Sequence, residues 1–233
     1  MNYKILFRDT LWLFRESKLL WIFGAIAFVS EFFFRGSVFS IGNPPVPWMA
    51  YPCFPISLYF SLVAKCSLIY SANQILSEQR STPSEVWDFC KAKLSRIAGL
   101  YFLSIPLVMF SVFIVEIVLL SEISTLLTRS VDILVIFFLS TVLTLSICTI
   151  VIHNLEPGLA LWTGLSIVVN NFIHVVALNG IFLLLELVLY WSIGNAIFDT
   201  VLLIPLTVTM TLAYRVFVAK GSYPALSNIQ PTA

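Results

Sequence analysis

Six apolar stretches alternate with short polar or amphipathic segments along the chain, at approximately 18–36, 50–74, 97–120, 131–153, 172–193 and 196–218. Each matches the roughly 20 residues that a helix needs to cross the hydrocarbon core of a bilayer. The third, "IAGLYFLSIPLVMFSVFIVEIVLL", contains Pro106, and the sixth, "AIFDTVLLIPLTVTMTLAYRVFVAK", contains Pro205. Both prolines predict kinks whose freed backbone groups are met by neighbouring helices or hydroxyl side chains.

A second kind of element precedes the first, third and fifth stretches. "NYKILFRDTLWLFRES" carries Lys4, Arg8 and Arg15 along one helical stripe. "TPSEVWDFCKAKLSRIAG" opens with Thr82, Pro83 and Glu85, a capping box with proline at the first helical position. Its polar stripe is Ser84, Asp88, Lys91 and Ser95, opposite Trp87, Cys90, Leu94 and Ile97. "EPGLALWTGLSIVVNN" again starts at a proline, Pro157, and is almost uncharged. Trp12, Trp21, Trp87 and Trp162 suit the headgroup region and predict interfacial anchoring. Helices of this type lie in the membrane plane. The pattern therefore predicts a threefold structural repeat of an interfacial helix followed by a transmembrane hairpin. "GSVFSIGNPPVPW" reads as an irregular external connection, and residues 221–233 as a short cytoplasmic tail without apolar periodicity.

Composition agrees with this pattern. The chain is 59% hydrophobic and 11% charged, with a mean hydropathy of +0.97, whereas soluble domains carry roughly 25% charged residues. The net charge of +1 provides no basic field for nucleic acid. Of the thirteen Lys and Arg, ten (Lys4, Arg8, Arg15, Lys18, Arg80, Lys91, Lys93, Arg96, Arg215, Lys220) fall on one side of the six-span arrangement. Arg35 and Arg129 fall on the other side, and Lys65 lies within a span. The positive-inside rule then makes both termini cytoplasmic. No cleavable signal is expected, because the run after Lys18 follows a long amphipathic lead-in and no clean small-x-small site comes after it. The predicted fold class is an all-α polytopic membrane protein. Residues 1–220 form one domain of six transmembrane helices, with two or three interfacial amphipathic helices on the cytoplasmic side.

The stretch "YKILFRDTLWLFRESKLLWIFGAIAFV" resembles the opening of a group of uncharacterised bacterial six-span membrane proteins. In that group an amphipathic helix and a basic residue lead to "LW-x-FG", here Leu20, Trp21, Ile22, Phe23 and Gly24. "STPSEVWDFCKAKLSRIAGLYFL" is similar to their second interfacial helix. The group is related in style to membrane domains fused to glycerophosphodiester phosphodiesterases. The resemblance implies architecture and a bacterial inner-membrane location, and it transfers no catalytic residue. The third interfacial helix departs from the group by lacking basic residues.

The chain holds no phosphate loop, nucleophile elbow, HExxH or dinucleotide fingerprint. Cys53, Cys66, Cys90 and Cys148 lie singly and read as small apolar residues. His153 and His174 read as interfacial, hydrogen-bonded side chains, with ligation of a metal or pigment as the other use; no metal, cofactor or catalytic site is predicted. The ionisable residues within spans are Glu31, Lys65, Glu116, Glu186 and Asp199. Glu31, Glu116 and Asp199 lie toward the outer ends, where water reaches. Lys65 lies about 4 Å to the cytoplasmic side of its span's centre, and Glu186 about 4 Å to the outer side of its own, at 1.5 Å per residue. Lys65 and Glu186 are therefore the candidate intramembrane pair. Snorkelling of Lys65 to the headgroups and a place in a polar cavity are the alternatives. Ser57 and Ser61 share its helical face, which predicts packing against protein on that side.

These features predict a non-enzymatic membrane subunit or scaffold. Its partners would be the lipid bilayer and other membrane-protein subunits or further copies of the chain, with no nucleic acid. The alternative is a transporter or permease component with a polar locus at Lys65 and Glu186.

Overall fold

A computed structural model describes the backbone of residues 2–42, 50–120, 125–193 and 197–221. It describes the side chains of residues 2–30, 55–107, 109, 138–182, 184–185, 204–219 and 221. The described residues form eight helices and no strand: α1 (Tyr3–Glu16), α2 (Lys18–Gly42), α3 (Ala50–Leu76), α4 (Pro83–Leu120), α5 (Thr125–His153), α6 (Pro157–Asn170), α7 (Phe172–Ile193) and α8 (Ile197–Lys220). The all-α class holds. Among the described residues one stretch, Pro55–Leu76 in α3, is by itself long and apolar enough to cross a membrane. The described parts of α2, α5 and α8 are shorter apolar helices.

Local chemistry fixes the helix ends. The Asn2 side chain accepts from the Ile5 N–H at 3.3 Å and starts α1. At α4 the predicted capping box forms: Thr82 N–H donates to Glu85 Oε2 at 2.7 Å, and Glu85 N–H donates to Thr82 Oγ1 at 3.3 Å. At the end of α3, Glu78 takes φ 57°. Its N–H donates to Ile75 O, and Gln79 N–H donates to Gln74 O. This is a Schellman closure with a glutamate where glycine is usual.

One expected boundary is absent. Residues 82–99 do not form a separate membrane-plane helix before the third span, because α4 runs unbroken from Pro83 to Leu120. The amphipathic and apolar halves meet without a breaking residue. Val86, Cys90, Ile97, Leu100 and Ser104 continue one buried stripe through the junction. Pro55, Pro106 and Pro205 lie inside α3, α4 and α8.

α3 is the central element and packs on α2, α4, α5 and α8. Around it lie Val63, Ala64, Cys66, Ser67, Leu68 and Ile69, all buried. α1 buries Leu6, Thr10 and Leu13, and the Thr10 and Thr209 hydroxyls bring it to α8 at 3.1 Å. α6 turns into α7 through 89°. Ala160, Thr163, Gly164, Ile167 and Val168 face inward, while Leu159, Trp162 and Val169 are exposed.

The Thr82 amide lowers the Glu85 carboxyl pKa. A depressed folded-state value means that the cap is fully stabilising above the ordinary carboxyl range and is lost as pH falls through the lowered value. Amide protection over residues 84–88 is therefore expected to hold from neutral pH down to the free Glu value of about 4.3 and to fall as pH drops below it. Glu85→Gln should remove that pH dependence. Equal dependence in both proteins would contradict the assignment.

Candidate functional site

The predicted intramembrane locus is half described. Lys65 projects from α3 with intermediate exposure, on the same stripe as Ser57 and Ser61, which are buried. The face read as packed against protein is so packed. Glu186, and with it the Lys65–Glu186 pair, lies outside the described side chains, as do Glu31, Glu116 and Asp199.

Apart from the Tyr214 phenol, every buried polar side chain among the described residues is a serine or threonine. Most of their hydroxyls turn back to their own helix. Ser67 donates to Val63 O at 2.8 Å, Ser146 to Val142 O at 2.7 Å, Thr149 to Ser146 O at 2.7 Å and Thr211 to Thr207 O at 2.9 Å. Such side chains let helices approach closely without adding unsatisfied polar groups. Bonds between helices are fewer, such as Asn179 Nδ2 donating to Thr141 Oγ1 at 2.8 Å between α7 and α5. Cys66, Cys90 and Cys148 are all free and buried.

Two cavities stand out. A cleft of about 550 Å³ between α2 and α3 is almost wholly apolar, lined by Ala25, Ile26, Val29, Ile56 and Phe60, with Ser30 and Ser57. A second, of about 630 Å³, opens where the C-terminal ends of α3, α5 and α8 converge. Asn73, Gln74, Ser77, Gln79, His153, Tyr214 and Arg215 supply its polar lining, with no carboxylate. The stacked Tyr70 and Phe89 rings, 4.0 Å apart, line another part. Three helix C-termini place partial negative charge at this cleft. Arg215 at its rim offsets that charge, so its position is accounted for without a ligand.

The histidines sit against tyrosines. His174 Nδ1 and the Tyr3 hydroxyl are hydrogen-bonded at 3.0 Å, tying α1 to α7. The His153 and Tyr214 rings lie 6.0 Å apart. Among the described residues no three His, Cys, Asp or Glu gather where they could hold a metal. Of the four tryptophans read as anchors, Trp12, Trp21 and Trp162 are exposed. Trp87 is partly buried, with its ring 6.1 Å from Phe60. Trp21 Nε1 donates to Phe14 O at 2.8 Å.

A polar cluster among the described residues was not evident from the sequence. Lys93 Nζ donates to Asn154 Oδ1. Arg96 donates to Asn154 O and Oδ1 at 2.6 Å each and pairs with Glu156 at 3.0 Å. Asn154 adopts φ 57° between α5 and α6, a conformation that asparagine tolerates better than most residues. Burial and the neighbouring Arg96 lower the Lys93 pKa. This clamp ties α4 to the α5–α6 turn. The only sequence signal for it is the turn-forming string "HNLEPG" opposite two cations. No protein-family model, curated protein or solved structure matches the chain.

Proposed function

We propose that the chain is a six-span protein of the bacterial inner membrane with both termini cytoplasmic. It has no catalysis of its own and serves as a subunit or scaffold that associates laterally with other membrane proteins or with its own copies. The observation that carries this reading is the apolar exterior. The core is itself mostly apolar, with serine and threonine as its minority, and yet Phe102, Met109, Trp162, Ile173 and Leu184 are each more than 60% exposed. Apolar patches of that extent on water-facing surfaces are rare, and lipid or a membrane partner accounts for them. The likeness to six-span membrane proteins with an amphipathic opening helix supports the same architecture.

In this reading the charge of Lys65 serves packing and topology rather than transport, on a helix face whose Ser57 and Ser61 are buried against protein. The exposed face of α4 (Phe102, Ile105, Met109) is the surface proposed for lateral contact. In mild detergent the protein is expected to migrate as a complex larger than one chain. A Phe102→Ala, Met109→Ala variant should shift it toward the monomer, and a wild-type monomer with no partner lost would contradict the reading.

The buried Ser57–Ser61 stripe leading to Lys65 favours the second reading, a transporter component. That reading requires a substrate or proton flux that disappears in Lys65→Leu while the protein still inserts.

A further inference from the structure

We infer that α1 is a docking surface for anionic phospholipid headgroups, a step that rests on the six-span reading and names the lipid class it recognises. Around the helix, Leu6, Thr10 and Leu13 form the buried side. At 100° per residue the opposite side carries Lys4, Arg8 and Arg15 in a row about 16 Å long. All three are exposed. Arg8 also reaches the adjacent Asp9 carboxylate at 3.1 Å, and that pair is itself largely exposed.

Beside this row stand Ile5, Leu11 and Trp12, exposed by 45%, 71% and 48%. A face meant only for water would lack them, and a face meant only for hydrocarbon would lack the cations. Apolar side chains and basic residues on one outer face are what the boundary between acyl chains and phosphate requires. An acidic protein surface would satisfy the charges and leave the exposed leucine and tryptophan in water, so a lipid surface is the better complement. The tie of Thr10 to Thr209 and of Tyr3 to His174 holds the helix in place, so its basic row is presented without an ordering cost on binding.

The test is amide exchange on the full chain reconstituted into vesicles of phosphatidylcholine alone or with one third phosphatidylglycerol. Protection over residues 3–16 should rise with phosphatidylglycerol and fall again in high salt. Each of Lys4→Gln, Arg8→Gln and Arg15→Gln should reduce the gain by about fivefold. Equal protection in both lipids, or a triple variant that keeps the gain, would overturn the proposal. Protection that appears only when a soluble acidic protein is added would overturn it as well. Alkaline extraction separates the two readings. A chain that stays with the vesicles of both lipids at high pH is inserted whatever α1 does, whereas a chain that washes off indicts the membrane reading itself.

Discussion

Replacing Gly164 with alanine is expected to cost about 1–3 kcal/mol, the range for forcing extra volume into a packed contact. Gly164 is where α6 lies on α5. A Cβ there would stand 2.1 Å from Ser146 Oγ, 2.9 Å from Val142 O and 3.0 Å from Ser146 N. The serine hydroxyl can rotate away, but it would leave its 2.7 Å bond to Val142 O. The other two atoms belong to the α5 backbone and move only if the helices separate. Gly180 provides the control, since a Cβ there meets nothing within 4 Å. Alanine at that position should be neutral or stabilise by up to about 1 kcal/mol through helix propensity. Thermal unfolding in detergent compares the two. Ser146→Ala in the Gly164→Ala background should recover only part of the loss. Equal stability of Gly164→Ala and Gly180→Ala would contradict the close approach.

Asn154→Ala is expected to lower stability by about 2 kcal/mol. Roughly half comes from placing alanine at a positive φ and half from removing an acceptor shared by two cations. Asn154→Gly separates the parts, because glycine keeps the backbone geometry and loses only the side-chain acceptor. Glu156→Gln should cost less than about 1 kcal/mol, since exposed ion pairs contribute little, and the Glu156 side chain is 70% exposed. A cycle combining Asn154→Ala with Arg96→Gln should be non-additive. Additive losses would mean that the clamp does not act as a unit.

Much of the helix layout was legible because proline and capping residues mark it. Pro83 and Pro157 start α4 and α6, and the Thr82–Glu85 box forms as its spacing requires. The junction near residue 97 looks like a boundary because composition changes there from amphipathic to apolar, although nothing there breaks a helix. The buried side of Ser57 and Ser61 followed from four-residue spacing. The contacts that seat α6 did not. Gly164 is one glycine among nine, and only the crossing of α5 and α6 shows that a methyl group would not fit. Lys93 and Arg96 entered the sequence reading as topology markers, and their shared target depends on the turn at Asn154. The cleft between α3, α5 and α8 draws its lining from residues far apart in the chain, so no local pattern announces it.

The most direct test of the six-span arrangement is the accessibility of single introduced cysteines to a membrane-impermeant maleimide in sealed right-side-out and inverted vesicles. The native thiols at 66, 90 and 148 are buried and should stay silent, and Cys53 is replaced by serine in the background. Ser77→Cys and Gln79→Cys are expected to label only from the cytoplasmic face, and Ser124→Cys and Asn195→Cys only from the outer face. Labelling of Ser77→Cys and Ser124→Cys from the same side, or of all four in either orientation, would contradict it.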